Sequence, residues 1–283
     1  EIEVCDWSSD VCSSDLLASV KYFVVKSNRY QYMPYGYYWL EGRAEKNGKI
    51  YEAFGSEEAL PLGYTYDSFI PREEYEKMTV TEKQQALLQG IVLEDSSLPE
   101  ITPEFNDQEI PFEIRKGKGC TVKDGKIKVT KEGAKLELLF NGLENSETYL
   151  IAEGLDYDGL SPKDRVSEKK WNKMTRYEQN QLLHEDSHWR YWKESQKASI
   201  TVGGQFPEKT IRIFTDKYNA YSGKHNFLCN TGYEKAAKQS ITLTFEKPGV
   251  YTFDKLKIVC QPMERITKRS EEHTSELQSH TSI

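Results

Sequence analysis

Between Phe112 and Cys260 the sequence repeats one device: a short run that alternates or clusters apolar residues, then a turn signal. The runs are Phe112–Ile114, Cys120–Val122, Lys126–Thr130, Lys135–Phe140, Thr148–Glu153, Ala198–Val202, Thr210–Thr215, Ser240–Phe245, Val250–Phe253 and Leu256–Cys260. Asp124-Gly125 and Pro248-Gly249 are turn pairs between them. Side chains on a strand point alternately to opposite faces, so period-two runs of this length bury one face each. A spacing of about 8–12 residues between such runs is the pattern of a sandwich or barrel. The reading for 99–265 is a mainly antiparallel, jelly-roll-like β-sandwich with a helical insertion at about 156–195.

The preceding 17–98 reads differently, as a small α+β unit. Ser19–Lys26 suits a strand, Ser27–Gly42 an aromatic loop, and Asn47-Gly48 a hairpin turn leading into a strand at Lys49–Phe54. Pro71 opens a first helical turn, where its missing N–H costs nothing. Thr79 and Glu82 form a capping box, each side chain serving the other's backbone N–H. Ala86, Leu87 and Leu88 give the helix an apolar stripe, Gly90 stops it, and Ile91–Leu93 reads as a buried strand. Ser96–Pro111, with Pro99, Pro103 and Pro111, is a linker. The fold class is therefore α+β: a small α/β unit followed by a β-sandwich with a short helical insertion. Within the insertion Trp171–Leu183 echoes Tyr75–Leu87, and Thr175 with Glu178 forms a second capping box.

The ends stand apart. Asp6–Leu16 and Arg269–His280 resemble translated sequencing-library adapters, so 1–16 and most of 266–283 are expected not to be native protein, and the chain to be a piece of a longer one. The whole chain has 38 basic and 45 acidic residues, net −7. Arg269 and eight of the acidic residues lie in those ends, which leaves 37 of each sign. No basic excess remains to bind nucleic acid. No run of about 18 apolar residues is present to span a membrane.

Few residues suggest chemistry. His184-Glu-Asp-Ser-His188 has the spacing of a zinc-binding helix, but no Gly-spaced third histidine follows, and an exposed helix end is the preferred reading. Asp156-Tyr-Asp158-Gly159 resembles the start of a calcium loop without its closing glutamate, and reads as a turn. Cys120, Cys229 and Cys260 read as three buried thiols, with a Cys229–Cys260 bridge as the alternative. No phosphate loop, nucleophile elbow or paired glycosidase carboxylates occur, so catalytic residues, metal and cofactor are all expected to be none. Aromatic rings beside polar groups fit sugar faces and hydroxyls. On that ground the candidate carbohydrate contacts are Tyr64, Tyr66, Asp67, Trp171, Trp189, Trp192, Tyr221 and His225. Packing inside the core and between the units is the competing role for the same rings.

Two long collinear stretches, Ala59–Asp95 (ALPLGYTYDSFIPREEYEKMTVTEKQQALLQGIVLED) and Ala220–Glu264 (AYSGKHNFLCNTGYEKAAKQSITLTFEKPGVYTFDKLKIVCQPME), with the shorter Ser19–Lys26, resemble the extracytoplasmic region of YfhO-family bacterial membrane proteins. The resemblance implies a polytopic membrane parent with a glycosyltransferase-C-like core. It implies sugar transfer from a lipid-linked donor to cell-envelope polymers such as lipoteichoic acid. The expected localisation is the extracytoplasmic face of the cell membrane. The expected partners are the membrane, through flanking transmembrane helices, and a glycan or lipid-linked sugar. No catalytic residue of that family matches a position here. The alternative is a free-standing secreted carbohydrate-binding or adhesive β-sandwich protein.

Overall fold

The computed structural model describes residues 2–4, 17–27, 29, 33, 35–57, 59–185, 197–204, 208–214, 221, 223–234 and 237–264. Strand β1 (Ile2–Val4), in the adapter-like end, pairs in parallel with β16 (Asn226–Glu234). The small unit begins with β2 (Tyr22–Lys26), β3 (Tyr38–Lys46) and β4 (Lys49–Gly55), joined as a three-stranded antiparallel sheet. Asn47 and Gly48 turn the β3–β4 hairpin, both with positive φ (53° and 68°), as a two-residue primed turn requires. The sequence reading placed Tyr38–Gly42 in a loop, whereas it lies within β3. Three residues, 40–42, bulge opposite Ala53 there, which breaks the period-two signal.

Pro71 caps the helix Arg72–Lys77, and Thr79 and Glu82 make the expected capping box on the helix Val80–Ala86. Thr79 N donates to Glu82 at 2.7 Å and Glu82 N to the Thr79 hydroxyl at 3.3 Å. The flanking strands β5 (Phe69–Pro71) and β6 (Ile91–Leu93) pair in parallel.

The remaining strands build the sandwich. They are β7 (Gln108–Ile110), β8 (Phe112–Lys116), β9 (Cys120–Lys123), β10 (Lys126–Val129), β11 (Ala134–Asn141), β12 (Ser146–Glu153), β13 (Asp156–Gly159), β14 (Lys197–Gly203), β15 (Lys209–Phe214), β17 (Lys238–Phe245), β18 (Gly249–Thr252) and β19 (Lys255–Pro262). One layer is the sheet β15-β14-β17-β11-β8. The other is the sheet β1-β16-β12-β19-β7 together with β13-β18-β10-β9. All three sheets feed one core, with Leu136, Leu138, Leu243 and Phe245 from the first layer and Leu150, Phe227, Ile258 and Tyr251 from the second. Apart from the β1 and β5–β6 pairings and one isolated bridge, the described ladders are antiparallel. The α+β reading thus matches the architecture.

Strand β12 is buried along nearly its whole length. Its second face, with Tyr149 and Ile151, packs with Leu228, Val259 and Val80 of the Val80–Ala86 helix. The small unit therefore covers the outer face of the sheet that holds β12, while on the outer face of β15-β14-β17-β11-β8 Arg212 is exposed among the described residues.

Polar groups sealed into that seam form a chain. Gln85 and Gln261 both donate to Asp107 Oδ1, the latter at 3.2 Å, and Thr81 faces the same carboxyl. The Tyr149 hydroxyl donates to Glu147 and, at 3.4 Å, to Gln261 Oε1. Burial holds the Asp107 carboxyl above the usual carboxylate range; the Glu82 charge adds to this, while the hydrogen bonds oppose it. A raised folded-state pKa stabilises fully below the unfolded value, about pH 4, and that contribution is lost as pH rises through the folded value. Asp107→Asn is expected to leave stability unchanged near pH 4 and to raise it at pH 7. Melting curves from pH 4 to 8 check this, and identical midpoints at pH 7 would refute it.

Two expectations from the motifs, the Asp156–Gly159 turn and the three thiols, resolve here. Asp156–Gly159 is not a turn or a calcium loop; it is strand β13, paired along its length with β18, because Tyr157 buries its ring in the core. No cluster able to hold a metal ion is found among the described residues. Cys120, Cys229 and Cys260 are buried thiols that form no disulfide. Cys229 pairs with Leu150 and Cys260 with Thr148 across β12, so a whole strand separates them.

Candidate functional site

The outer face of β15-β14-β17-β11-β8 carries a hollow. Inward positions on β14, β15 and β17 are apolar except for the buried Lys209 and for Gln239, so the alternate positions point outward, and these are hydroxyl-rich. Thr210, Thr201 and Thr244 align in one cross-strand row over three neighbouring strands. In the next row Arg212 lies opposite Ser199, whose hydroxyl donates to Glu246. The Glu246 N–H donates to Ser199 O at 3.1 Å, which extends the ladder and holds that carboxylate beside the hydroxyls. With Glu132, Gly133 and Phe214 these residues line a groove of ≈ 550 Å³. It presents four hydroxyls, one guanidinium, two carboxylates and one ring edge. Opposite charges in near balance favour a neutral, hydroxyl-rich ligand over an ion, and hydroxyls both donate and accept.

The sequence reading missed this surface, because it looked for rings. The available signal was Ser/Thr at alternate positions in ASITV, TIRIF and ITLTF. Threonine is also a common residue on any solvated strand, and the alignment of the three threonines in one row appears only once the register is known.

The carbohydrate candidates read from the sequence lie elsewhere and are divided. Tyr64 packs with Leu60, Leu88 and Met263 in the seam between the small unit and the sandwich. Its ring meets that of Tyr66 edge-on at 5.4 Å. The Tyr66 hydroxyl donates to Leu87 O, and burial raises its pKa strongly. Asp67 is exposed on the same loop. Trp171 is half-buried at the end of the helix Glu168–Trp171, with Lys163 Nζ 5.7 Å from its ring centre. Trp189 and Trp192 lie outside the described residues.

Tyr221 and His225 do meet, with ring centres 6.4 Å apart. The His225 Nδ1 lies 3.0 Å from Leu155 O, so Nδ1 carries the proton, since a carbonyl only accepts. Nε2 then accepts from the Tyr221 hydroxyl at 3.4 Å. Leu155 N donates back to His225 O at 2.8 Å, and Gly154 N to Asn226 Oδ1 at 2.9 Å. That double clamp fixes where β16 enters its sheet.

His184 sits exposed at the end of the helix Arg176–Glu185, and His188 lies outside the described residues. The helix starts with the expected second capping box: Thr175 N donates to Glu178 at 2.7 Å and Glu178 N to the Thr175 hydroxyl at 3.2 Å.

Among the described residues no helix is long and apolar enough to cross a membrane. A family model described as bacterial membrane protein YfhO matches residues 10–282. No curated protein matches the chain.

Proposed function

The chain belongs to the YfhO family of bacterial membrane proteins, and from that membership we propose that it is the extracytoplasmic accessory region of a polytopic membrane glycosyltransferase acting on cell-envelope polymers such as lipoteichoic acid. In this reading the region is not itself catalytic. It holds a neutral, hydroxyl-rich stretch of the acceptor glycan while the membrane-embedded part transfers sugar. The observation that carries the reading is the groove on the outer face of β15-β14-β17-β11-β8, with its aligned Thr210, Thr201 and Thr244 and the adjoining Ser199, Arg212 and Glu246. Its hydroxyls lie on rigid paired strands, so little ordering cost is added on binding.

Calorimetric titration of the 283-residue chain with neutral mono- and oligosaccharides and with purified lipoteichoic acid tests it. Saturable binding is expected, and Arg212→Ala combined with Thr201→Val is expected to weaken it by about tenfold or more at an unchanged melting temperature, the loss of one or two good hydrogen bonds. Absence of saturation with every ligand, or equal binding by the variant, refutes the groove. Sugar transfer by the complete parent protein, with and without the same substitutions, tests the wider assignment.

A further inference from the structure

The three-stranded sheet of the small unit has aromatic rings on both faces at one end, Trp39 being 50% exposed on the second, and its faces differ in the charges carried at the other end. Register assigns them. Tyr22, Gly55 and Tyr38 form one cross-strand row, and two residues along, Val24 lies opposite Ala53. Further along the same face come Lys26 and Ala44 on either side of Tyr51, and then the pair Lys46 and Lys49. The bulge keeps Leu40 on this face: a Cβ on Gly55 would meet Leu40 Cδ1 at 3.0 Å. Gly42 lies over Ala53 in the same way. The other face takes Phe23, Phe54 and Trp39, then Arg43 opposite Glu52, and Glu45 opposite Ile50.

The first face is thus apolar and aromatic at one end and basic at the other, and no carboxylate occupies its paired positions. Among the described residues the side chains at the apolar end are exposed, and the Tyr38 hydroxyl donates to Glu57 Oε1 at 3.3 Å. Tyr22 is 62% exposed, Val24 67%, Tyr38 46% and Leu40 38%. Lys21 also folds toward it, with Nζ 5.8 Å from the Tyr22 ring centre. Small residues along the middle (Gly55, Ala53 and Gly42) keep the strip low, so the rings and Leu40 are its highest points. A soluble surface does not ordinarily collect this much apolar area on one sheet face without a partner.

We propose that this face rests on an anionic phospholipid bilayer. Two features choose that occupant over a second protein surface. Tyrosines have an apolar body and a polar tip, and so settle at the headgroup level, with Val24 and Leu40 reaching the acyl boundary. The carboxylate-free lysine end, Lys26, Lys46 and Lys49, complements anionic headgroups, each lysine adding attraction that salt screens. Membership of a membrane-protein family places such a surface within reach of the chain. The inference rests on that membership and not on glycan binding.

Flotation of the 283-residue chain with vesicles of phosphatidylglycerol and phosphatidylcholine, against phosphatidylcholine alone, tests it. Binding is expected only with the anionic vesicles and should fall as salt rises. Val24→Ser with Leu40→Ser, and separately Lys26→Glu with Lys46→Glu and Lys49→Glu, should each lower partitioning by about tenfold or more, with the melting temperature kept. The charge-reversal set lies on exposed or half-exposed positions away from the sandwich core, so it stands if the apolar set disturbs the fold. No binding at millimolar lipid, or binding that ignores both sets, overturns the proposal. So does a dimer in light scattering that Val24→Ser with Leu40→Ser converts to monomer while vesicles are ignored. Vesicle binding that survives loss of the groove leaves this inference standing when the glycan reading fails.

Discussion

Tyr251→Ala is expected to cost about 3–5 kcal/mol of stability, the range for deleting a fully buried ring. Tyr251 has no exposed surface and lies on the central strand β18, between β10 and β13. Its ring packs 4.9 Å from Tyr157 and 4.7 Å from Phe245, centre to centre, so it is one of the contacts that tie the four-stranded sheet to the opposite layer. Its hydroxyl donates to Lys247 O at 2.8 Å, while the Tyr157 hydroxyl donates to the neighbouring Pro248 O at 2.9 Å. The two tyrosines thereby help to satisfy a buried turn, where Pro248 O also accepts from Leu160 N at 3.5 Å. Tyr251→Phe keeps the rings and removes one donor, and is expected to cost only about 1–2 kcal/mol. Urea denaturation of the pair separates the ring from the hydroxyl. A Tyr251→Ala protein within about 1 kcal/mol of the parent would show that the sheet is held some other way.

Gly249→Val is the second large effect, expected at about 3 kcal/mol or more. Gly249 is paired with Val129 on one side and Gly159 on the other. A Cβ there would run into the Tyr157 ring and stand 2.7 Å from Asp158 O. The backbone oxygen cannot move without breaking the β13–β18 ladder, and the ring cannot move without emptying its place beside Tyr251. The cost therefore comes from overpacking and not from backbone conformation. Gly249→Ala should be milder and of the same sign. Near-parental denaturation midpoints for both variants would refute the crowding. The protein should then show its damage locally, as faster amide exchange in β13, β18 and β10, with β11 and β17 still protected.

These two residues also show where sequence reading stops. The turn pair Pro248-Gly249 was legible as a turn, and Val250–Phe253 as a strand. That Gly249 is small because Tyr157 lies over it could not be read, since the two are far apart along the chain. The same gap explains the strand that was missed. In β16 the run Asn-Phe-Leu-Cys-Asn-Thr-Gly-Tyr breaks alternation at Asn230, Thr231 and Gly232. The structure places a register shift there, opposite Thr148 and Tyr149, with Gly232 at φ 133°. A strand buried on both faces and bulged in the middle has no period-two signal to find.

The sequence alone determined what depends on neighbours along the chain. Both capping boxes, the Asn47-Gly48 and Asp124-Gly125 turns and the alternating strands of the sandwich are local, because hydrogen bonds three residues apart and period-two burial are written in consecutive residues. The family was legible for a related reason, since long collinear stretches carry it. The tertiary structure decided what depends on register. It divided the aromatic candidates, with Tyr64 in the inter-unit seam, Tyr66 hydrogen-bonded to Leu87 within the small unit and Tyr221 on the His225 clamp. It aligned Thr210, Thr201 and Thr244 into one row. It also gathered Tyr22, Val24, Tyr38 and Leu40 on one face while sending Glu45 and Glu52 to the other side. A one-residue slip in any of those pairings would exchange the two faces, so only the paired strands fix which surface the protein presents.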